Sequence, residues 1–225
     1  EAPDLSRHPW HALPAEEVAR TLEVDPKKGL TPDEARRRLE LHGPNRLPEE
    51  PPEPALLRFL KQFHNVLIYV LLVAAVLTGA LGEWIDTGVI LLVVLVNAVV
   101  GFVQEGKAAE ALEGIRSLLS PTAEVVRGGK RAEVDAAELV PGDLVRLESG
   151  DRVPADLRIL EAGAARVDEA LLTGESEPVS KSAAPVKKEA LPADRRSMAF
   201  SGSLVTSGRI VGVVTATGQA TEIGK

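Results

Sequence analysis

The 225-residue sequence has no cysteine, which excludes disulfide staples, thiol nucleophiles and zinc–thiolate sites. Aromatic residues make up only 3% against 44% apolar, so the apolar content is Ala, Val, Leu and Ile. Histidine is scarce as well. All four, His8, His11, His42 and His64, precede the second of two long apolar runs, so no His base is available to a hydroxyl in the second half. Positive charge falls short of negative, 26 Lys plus Arg against 33 Asp plus Glu, which counts against nucleic acid as a partner. A phosphate loop is missing. GQATEIGK, 218–225, has five residues between its glycines, where such a loop has four. No basic stretch leads into an apolar run near the start, so nothing reads as a signal peptide. The opening at Glu1 without Met, and the stop at Lys225 after a strand-like run, are those expected of a piece of a longer protein.

What is present is unevenly spread. From Asn65 to Val103 the only charges are Glu83 and Asp86. They separate NVLIYVLLVAAVLTGAL (Asn65 to Leu81) from TGVILLVVLVNAVVGFV (Thr87 to Val103), two runs of 17 residues. At about 1.5 Å per residue, each sits at the lower limit for crossing roughly 30 Å of hydrocarbon. A pair of buried helices in a soluble core is the other reading. Both runs are apolar on every face, and the chain has too little other helix to cover them, so a membrane hairpin is expected. Arg58 and Lys61 precede the first run, Lys107 and Arg116 follow the second, and the link GEWID has no basic residue. The positive-inside rule then places both ends in the cytoplasm and Trp84 at the outer interface. Gly79, Gly82, Gly88 and Gly101 would let helices approach, and Asn97 is expected to bond a neighbouring helix. QEGKAAEALEGIRSLL carries Ala108, Leu112, Ile115 and Leu119 at helical spacing, with Glu113 and Arg116 placed to pair, so the second helix should continue as a stalk until Pro121.

Residues 1–54 read as a helical segment. Thr31-Pro32-Asp33-Glu34 is a capping box with Pro at the first helical position, and Gly43-Pro44 ends that helix at His42. An earlier helix is expected over about Ala15 to Leu22, and PEEPPEP, Pro48 to Pro54, forms a stiff linker. His8 and His11 are spaced for a metal, but with no third ligand a surface loop is the better reading.

The region 121–225 is β-rich. TAEVV and RAEV flank Gly128-Gly129 as a hairpin. LVRLE and DLRIL alternate between turns at Pro141-Gly142-Asp143 and Gly150-Asp151, and a later pair, FSGSLVTS and GRIVGVVTATG, is broken by Gly208. About six short strands at this spacing predict a small barrel or sandwich. Ser182 to Asp194 reads as a surface loop.

The region has one chemically suggestive turn, Thr173-Gly174-Glu175-Ser176, closed by Pro178. Gly174 permits an unusual backbone angle and removes side-chain bulk, Thr173 and Ser176 offer hydroxyls, and Glu175 could orient a water brought within about 3 Å. As bare sequence it is also an ordinary solvated turn.

The combination resembles the N-terminal quarter of a P-type cation-transporting ATPase of the calcium-pump branch. GLTPDEARRRLELHGPNRL is similar to that family's N-terminal cytoplasmic segment and VNAVVGFVQE to the end of its second membrane helix. VPGDLVRLESGDRVPADLRIL, DEALLTGESEPV and FSGSLVTSGRIVGVVTATGQATEIGK resemble its actuator domain. The resemblance implies an α+β membrane protein in three parts. These are an N-terminal cytoplasmic segment (1–54), a two-helix hairpin with cytoplasmic stalk (55–120, spans about 65–81 and 87–103), and a distorted barrel or jelly-roll-like actuator (121–225). It further implies that Glu175 positions the water attacking an aspartyl phosphate, that Thr173 and Gly174 fit against the phosphorylated site, and that Ser176 shapes the loop. The phosphorylated Asp lies in an Asp-Lys-Thr-Gly segment that this sequence lacks. ATP and Mg2+ would bind outside these residues, with Ca2+, or manganese, as cargo. The implied partners are the phosphorylation and nucleotide-binding domains of the same full-length chain and a lipid bilayer, with the cell membrane as location and no nucleic acid. FSGS and TEIGK favour calcium or manganese pumps, whereas His64 and Asn65 stand where some calcium pumps carry acids. A two-span regulatory module whose β domain docks on a partner stays open beside this reading, as does a soluble β domain with a helical appendage.

Overall fold

The computed structural model describes residues 8–47, 54–118, 121–174 and 177–225. The chain divides into two compact units, one made of Glu1–Pro48 with Ser120–Lys225 and the other of Glu49–Leu119. The three-part division of the sequence therefore does not describe the packing: the N-terminal segment belongs to the same unit as the β-rich region. The linker at Pro48 to Pro54 falls almost wholly outside the described residues.

In the first unit, helix α1 (Ala15–Thr21) forms close to its expected bounds without a side-chain cap, and helix α2 (Pro32–His42) forms where its caps require. Thr31 accepts a hydrogen bond from the Glu34 N–H at 3.2 Å, and Gly43 closes the other end with φ 75°. The sheet comprises β1 (Thr122–Arg127), β2 (Lys130–Asp135), β3 (Leu144–Glu148), β4 (Asp156–Asp168), β5 (Val179–Ser180), β6 (Met198–Ala199) and β7 (Leu204–Ala216), with a one-turn helix, α6 (Ala170–Thr173), before β5. Every pairing is antiparallel, in the order β2-β1-β3-β7-β4-β5, with β6 also on β4. Gly128 and Gly129, both at positive φ, turn β1 into β2 as expected.

The expected set of short strands is corrected in one respect. DLRIL extends to 13 residues and the run across Gly208 is a single strand of 13 residues. Their pairing shifts register at four places, one between Gly163 and Arg166 beside Gly208. Bulges absorb what looked like a strand break, because an extra residue bends the ladder without ending it. Among the described residues the strands form one antiparallel, bulged sheet whose path runs from β2 to β5.

Both faces of this sheet are covered. Val125, Val145, Leu147, Leu157, Ile159, Val205, Ile210 and Val214 build one core. Leu144, Met198, Phe200 and Val213 join Trp10, Val18, Ala19, Leu22, Leu30 and Ala35 of the N-terminal segment in a second. Two-sided cover explains why Arg158, on a strand read as alternating, is fully buried. Its guanidinium donates to the carbonyls of Trp10 (3.0 Å), Leu13 (2.8 Å), Ala183 (2.9 Å) and Ser197 (3.2 Å), and also to that of Ile159. It thereby ties the N-terminal segment to β4 with no carboxylate involved. Burial lowers its pKa to about 10.

The second unit is helical: α3 (Ala55–Lys61), α4 (Val66–Ala80) and α5 (Trp84–Leu118). The stalk pattern holds, since α5 runs unbroken for 35 residues; Leu119 and the side chains of the Glu113–Arg116 pair lie outside the described residues. Among the described residues, only α5, over Trp84–Leu112, is long and apolar enough to cross a membrane alone. Helix α4 has 15 residues and reaches that length only with α3, from which it bends by 72°. The two-span hairpin is thus narrowed to one span plus a bent pair. Ile68 and Ala75 of α4 and Val94 and Ala98 of α5 are buried. Thr78 and Thr87 join the two helices, hydroxyl to hydroxyl, at 2.9 Å. Gly79 meets Thr87 and Gly101 meets Gln62, whereas Gly82 and Gly88 face open space. Asn97 is exposed within this unit. The link is shorter than GEWID, because Trp84 already begins α5.

Candidate functional site

The turn singled out from sequence sits between β4 and β5. Thr173 ends α6, and Gly174 follows in the left-handed conformation, φ 74° and ψ 0°. A Cβ on Gly174 would meet nothing within 4 Å, so its backbone angle, not crowding, calls for glycine. Thr173 is half-buried, and Gly174 is exposed. Glu175 and Ser176, the other two expected site residues, lie outside the described residues.

The base of the turn is held from several directions. The Ala170 N–H donates to Asp168 Oδ1 at 3.0 Å and so starts α6. The Glu169 carbonyl accepts from the Leu172 N–H (2.9 Å), the Thr173 N–H (3.0 Å) and Thr173 Oγ1 (3.1 Å). On the return, Val179 and Ser180 pair with Val167 and Arg166. The Lys181 N–H donates to the Ala165 carbonyl at 2.9 Å, and Arg166 Nη2 to the Pro178 carbonyl at 3.0 Å. Gly174 is therefore an exposed point on a fixed root, an arrangement suited to presenting groups to another surface.

The side chains of Glu169 and Lys181 meet at 2.6 Å and both are fully buried. Burial pushes the Glu169 carboxyl up and the Lys181 ammonium down, and each charge opposes the shift on the other. The sequence reading assigned neither residue a role. They are twelve positions apart, and only the return of β5 beside β4 brings them together, so no local pattern could have flagged the pair.

Among the described residues no three His, Asp or Glu side chains converge as a metal site. His11 is buried, with Nε2 3.0 Å from the Lys188 carbonyl, and His8 stacks on Trp10 at 4.8 Å between ring centroids. His11 thus ties the N-terminal segment to Lys188 and, through its carbonyl, to the Ser197 hydroxyl, so the surface-loop reading is corrected for His11.

Comparisons with known proteins agree with the sequence reading. A family model described as P-type ATPase actuator domain matches residues 117–225, and one described as Cation transporter/ATPase, N-terminus, matches residues 10–78. A probable cation-transporting ATPase F of Mycobacterium tuberculosis is 50% identical over 96% of this chain and 24% of its own length. A calcium-transporting ATPase of Bacillus subtilis is 41% identical over the same shares, 96% and 24%. A sodium/potassium exporting P-type ATPase of Saccharomyces cerevisiae is also 41% identical, over 96% of this chain and 20% of its own. The chain thus spans about a quarter of the length of the curated relatives it matches.

Proposed function

The chain belongs to the P-type cation-transporting ATPases, and from that premise we propose that its sheet unit promotes hydrolysis of an aspartyl phosphate formed elsewhere in a full-length pump. The observation that carries this reading is the exposed Gly174, left-handed after Thr173 on a fixed root and followed in sequence by Glu175. An acyl phosphate needs a water held in line with the leaving group, and a carboxylate on a protruding turn can supply that alignment. In this reading Glu175 orients the water, the open face of Gly174 lets the phosphorylated site approach, Thr173 fits beside it, and Ser176 shapes the loop. The loop mounting follows from the location of the substrate on another domain.

The phosphorylation and nucleotide-binding domains, with ATP and Mg2+, belong to the rest of the full-length chain in this proposal. Helix α5 leads in sequence from the apolar unit to β1, so movement of the sheet unit would pull on a membrane helix and gate ion access. Helices α3 and α4 together, and α5, would form the membrane hairpin, with both ends on the cytoplasmic side of the cell membrane. The cargo is a cation. The relatives named above divide among calcium, sodium/potassium and unspecified cations, and calcium or manganese is our assignment from FSGS and TEIGK.

The test uses the full-length pump in membranes, with ATP and one cation at a time, for wild type and Glu175→Gln. Phosphoenzyme should form with one cation and decay at least tenfold more slowly in the variant. Normal decay in an active Glu175→Gln preparation sinks the assigned role, and absence of phosphoenzyme under every cation sinks the pump reading.

A further inference from the structure

The root of the turn contains a feature that stability explains poorly. The Glu169 carboxylate and Lys181 ammonium face each other at 2.6 Å with fully buried side chains. Among the described residues no well-directed hydrogen bond reaches either carboxylate oxygen or the ammonium. The ammonium also lies 5.8 Å from the centroid of the Phe200 ring, and the Arg196 charge opposes it. Removing two ions from water costs much of what a lone contact returns, and apolar residues of similar volume often stabilise as well or better.

Position accounts for the pair better than stability does. The Glu169 carbonyl accepts from two backbone N–H groups and from the Thr173 hydroxyl, so α6 and its threonine hang from this one residue. Lys181 stands immediately after β5, which has only two residues and so contributes few ladder bonds. The ion pair closes the loop side chain to side chain where the backbone ladder is shortest. Parting a buried charge pair leaves two unpaired ions out of water, so it resists separation more than an apolar contact of similar size and limits how far the Glu169 backbone can rock.

We propose that Glu169 and Lys181 are positioning residues that set the angle at which the Thr173–Gly174 turn, and Glu175 after it, is presented for dephosphorylation. The inference rests on the reading of Glu175 given above.

The experiment uses the full-length pump in membranes and compares wild type, Lys181→Met, the double variant Glu169→Met/Lys181→Met, and Glu175→Gln. Protease resistance, phosphoenzyme formation from ATP and phosphoenzyme decay are read for each. Lys181→Met strands a buried carboxyl and should lose both protease resistance and decay rate. The double variant should keep wild-type resistance and formation, while decay slows about tenfold or more, since small misplacements of reacting groups cost up to about 10²-fold. A purely structural pair predicts recovery of all three readouts, so decay within about twofold of wild type in the double variant overturns the proposal. If the double variant loses resistance, Glu169→Gln keeps the shape of the side chain, and wild-type decay there is equally fatal. Slow decay in Glu175→Gln with fast decay in the double variant removes only the positioning role. Fast decay in Glu175→Gln removes the underlying reading as well.

Discussion

The two units use the same aliphatic residues in opposite ways. In the sheet unit Leu157, Ile159, Val125 and Val213 have essentially no exposed surface. In the helical unit Leu92, Val66, Val70 and Ile85 are 60%, 78%, 60% and 83% exposed. Burial in the first unit is achieved by the sheet and the N-terminal segment acting together, with cores on both faces. Within the second, the recorded buried residues are Ile68, Ala75, Val94 and Ala98, so its outward surface calls for an apolar surrounding. The lesson is that apolar content alone does not place a core; the faces that neighbouring elements cover decide it.

That comparison can be broken most forcefully at Arg158. Arg158→Leu removes the donors to five buried or partly buried carbonyls and should cost the sheet unit about 3–5 kcal/mol. Each unit holds one of the two tryptophans, buried Trp10 and exposed Trp84. Denaturant unfolding followed through Trp10 in a Trp84→Phe background therefore reads the sheet unit alone. A loss under about 1 kcal/mol would mean that water replaces the guanidinium without difficulty.

One substitution made in both units gives the next largest effect. Leu157→Ala opens a cavity and should cost about 2–5 kcal/mol, whereas Leu92→Ala on the exposed face of α5 should change detergent-phase stability by about 0.5 kcal/mol or less. Similar losses at both positions would show that the outer face of α5 is packed by protein.

The third test is pH. Asp156 is buried beside Ser201 and Glu222, whose N–H groups donate to it at 2.9 and 2.7 Å. Burial outweighs those bonds and raises its pKa to about 6 from an ordinary 3.8. Between those values the folded state binds more protons than the unfolded one, so this residue's contribution to stability falls as pH rises. The stability of wild type minus that of Asp156→Asn should fall by about 2–3 kcal/mol from pH 4 to 6.5. A flat difference refutes the shift.

The smallest effect concerns a cap. Thr31→Ala removes the acceptor for the Glu34 N–H and should cost about 1 kcal/mol, read as a lower midpoint in the Trp10 signal. An unchanged midpoint would show that α2 is held by Arg38 instead, which donates to Glu34 at 2.7 Å and to the Leu22 and Pro141 carbonyls at 2.9 and 3.0 Å.

Local chemistry was legible without coordinates. Thr31, Pro32 and Gly43 set the bounds of α2, Gly128-Gly129 set the hairpin, and the apolar period of α5 ran on into the stalk. Each outcome depends on residues within a few positions of one another, where propensity and capping act. The turn at Thr173–Gly174 was legible for the same reason, although its chemistry gained meaning only through the resemblance.

What tertiary structure alone decided involves residues far apart in the chain. The N-terminal segment covers the second face of the sheet, so Arg158 is buried where alternation predicted an exposed side chain. Bulges carry β4 past Gly163 and β7 through Gly208, because the partner strand supplies the hydrogen bonds that a lone strand would lose there. Glu169 meets Lys181 only because β5 returns beside β4. Hydrogen-bonding and capping preferences are written along the sequence; burial and ion pairing depend on which surfaces meet, and that is settled by the folded chain as a whole.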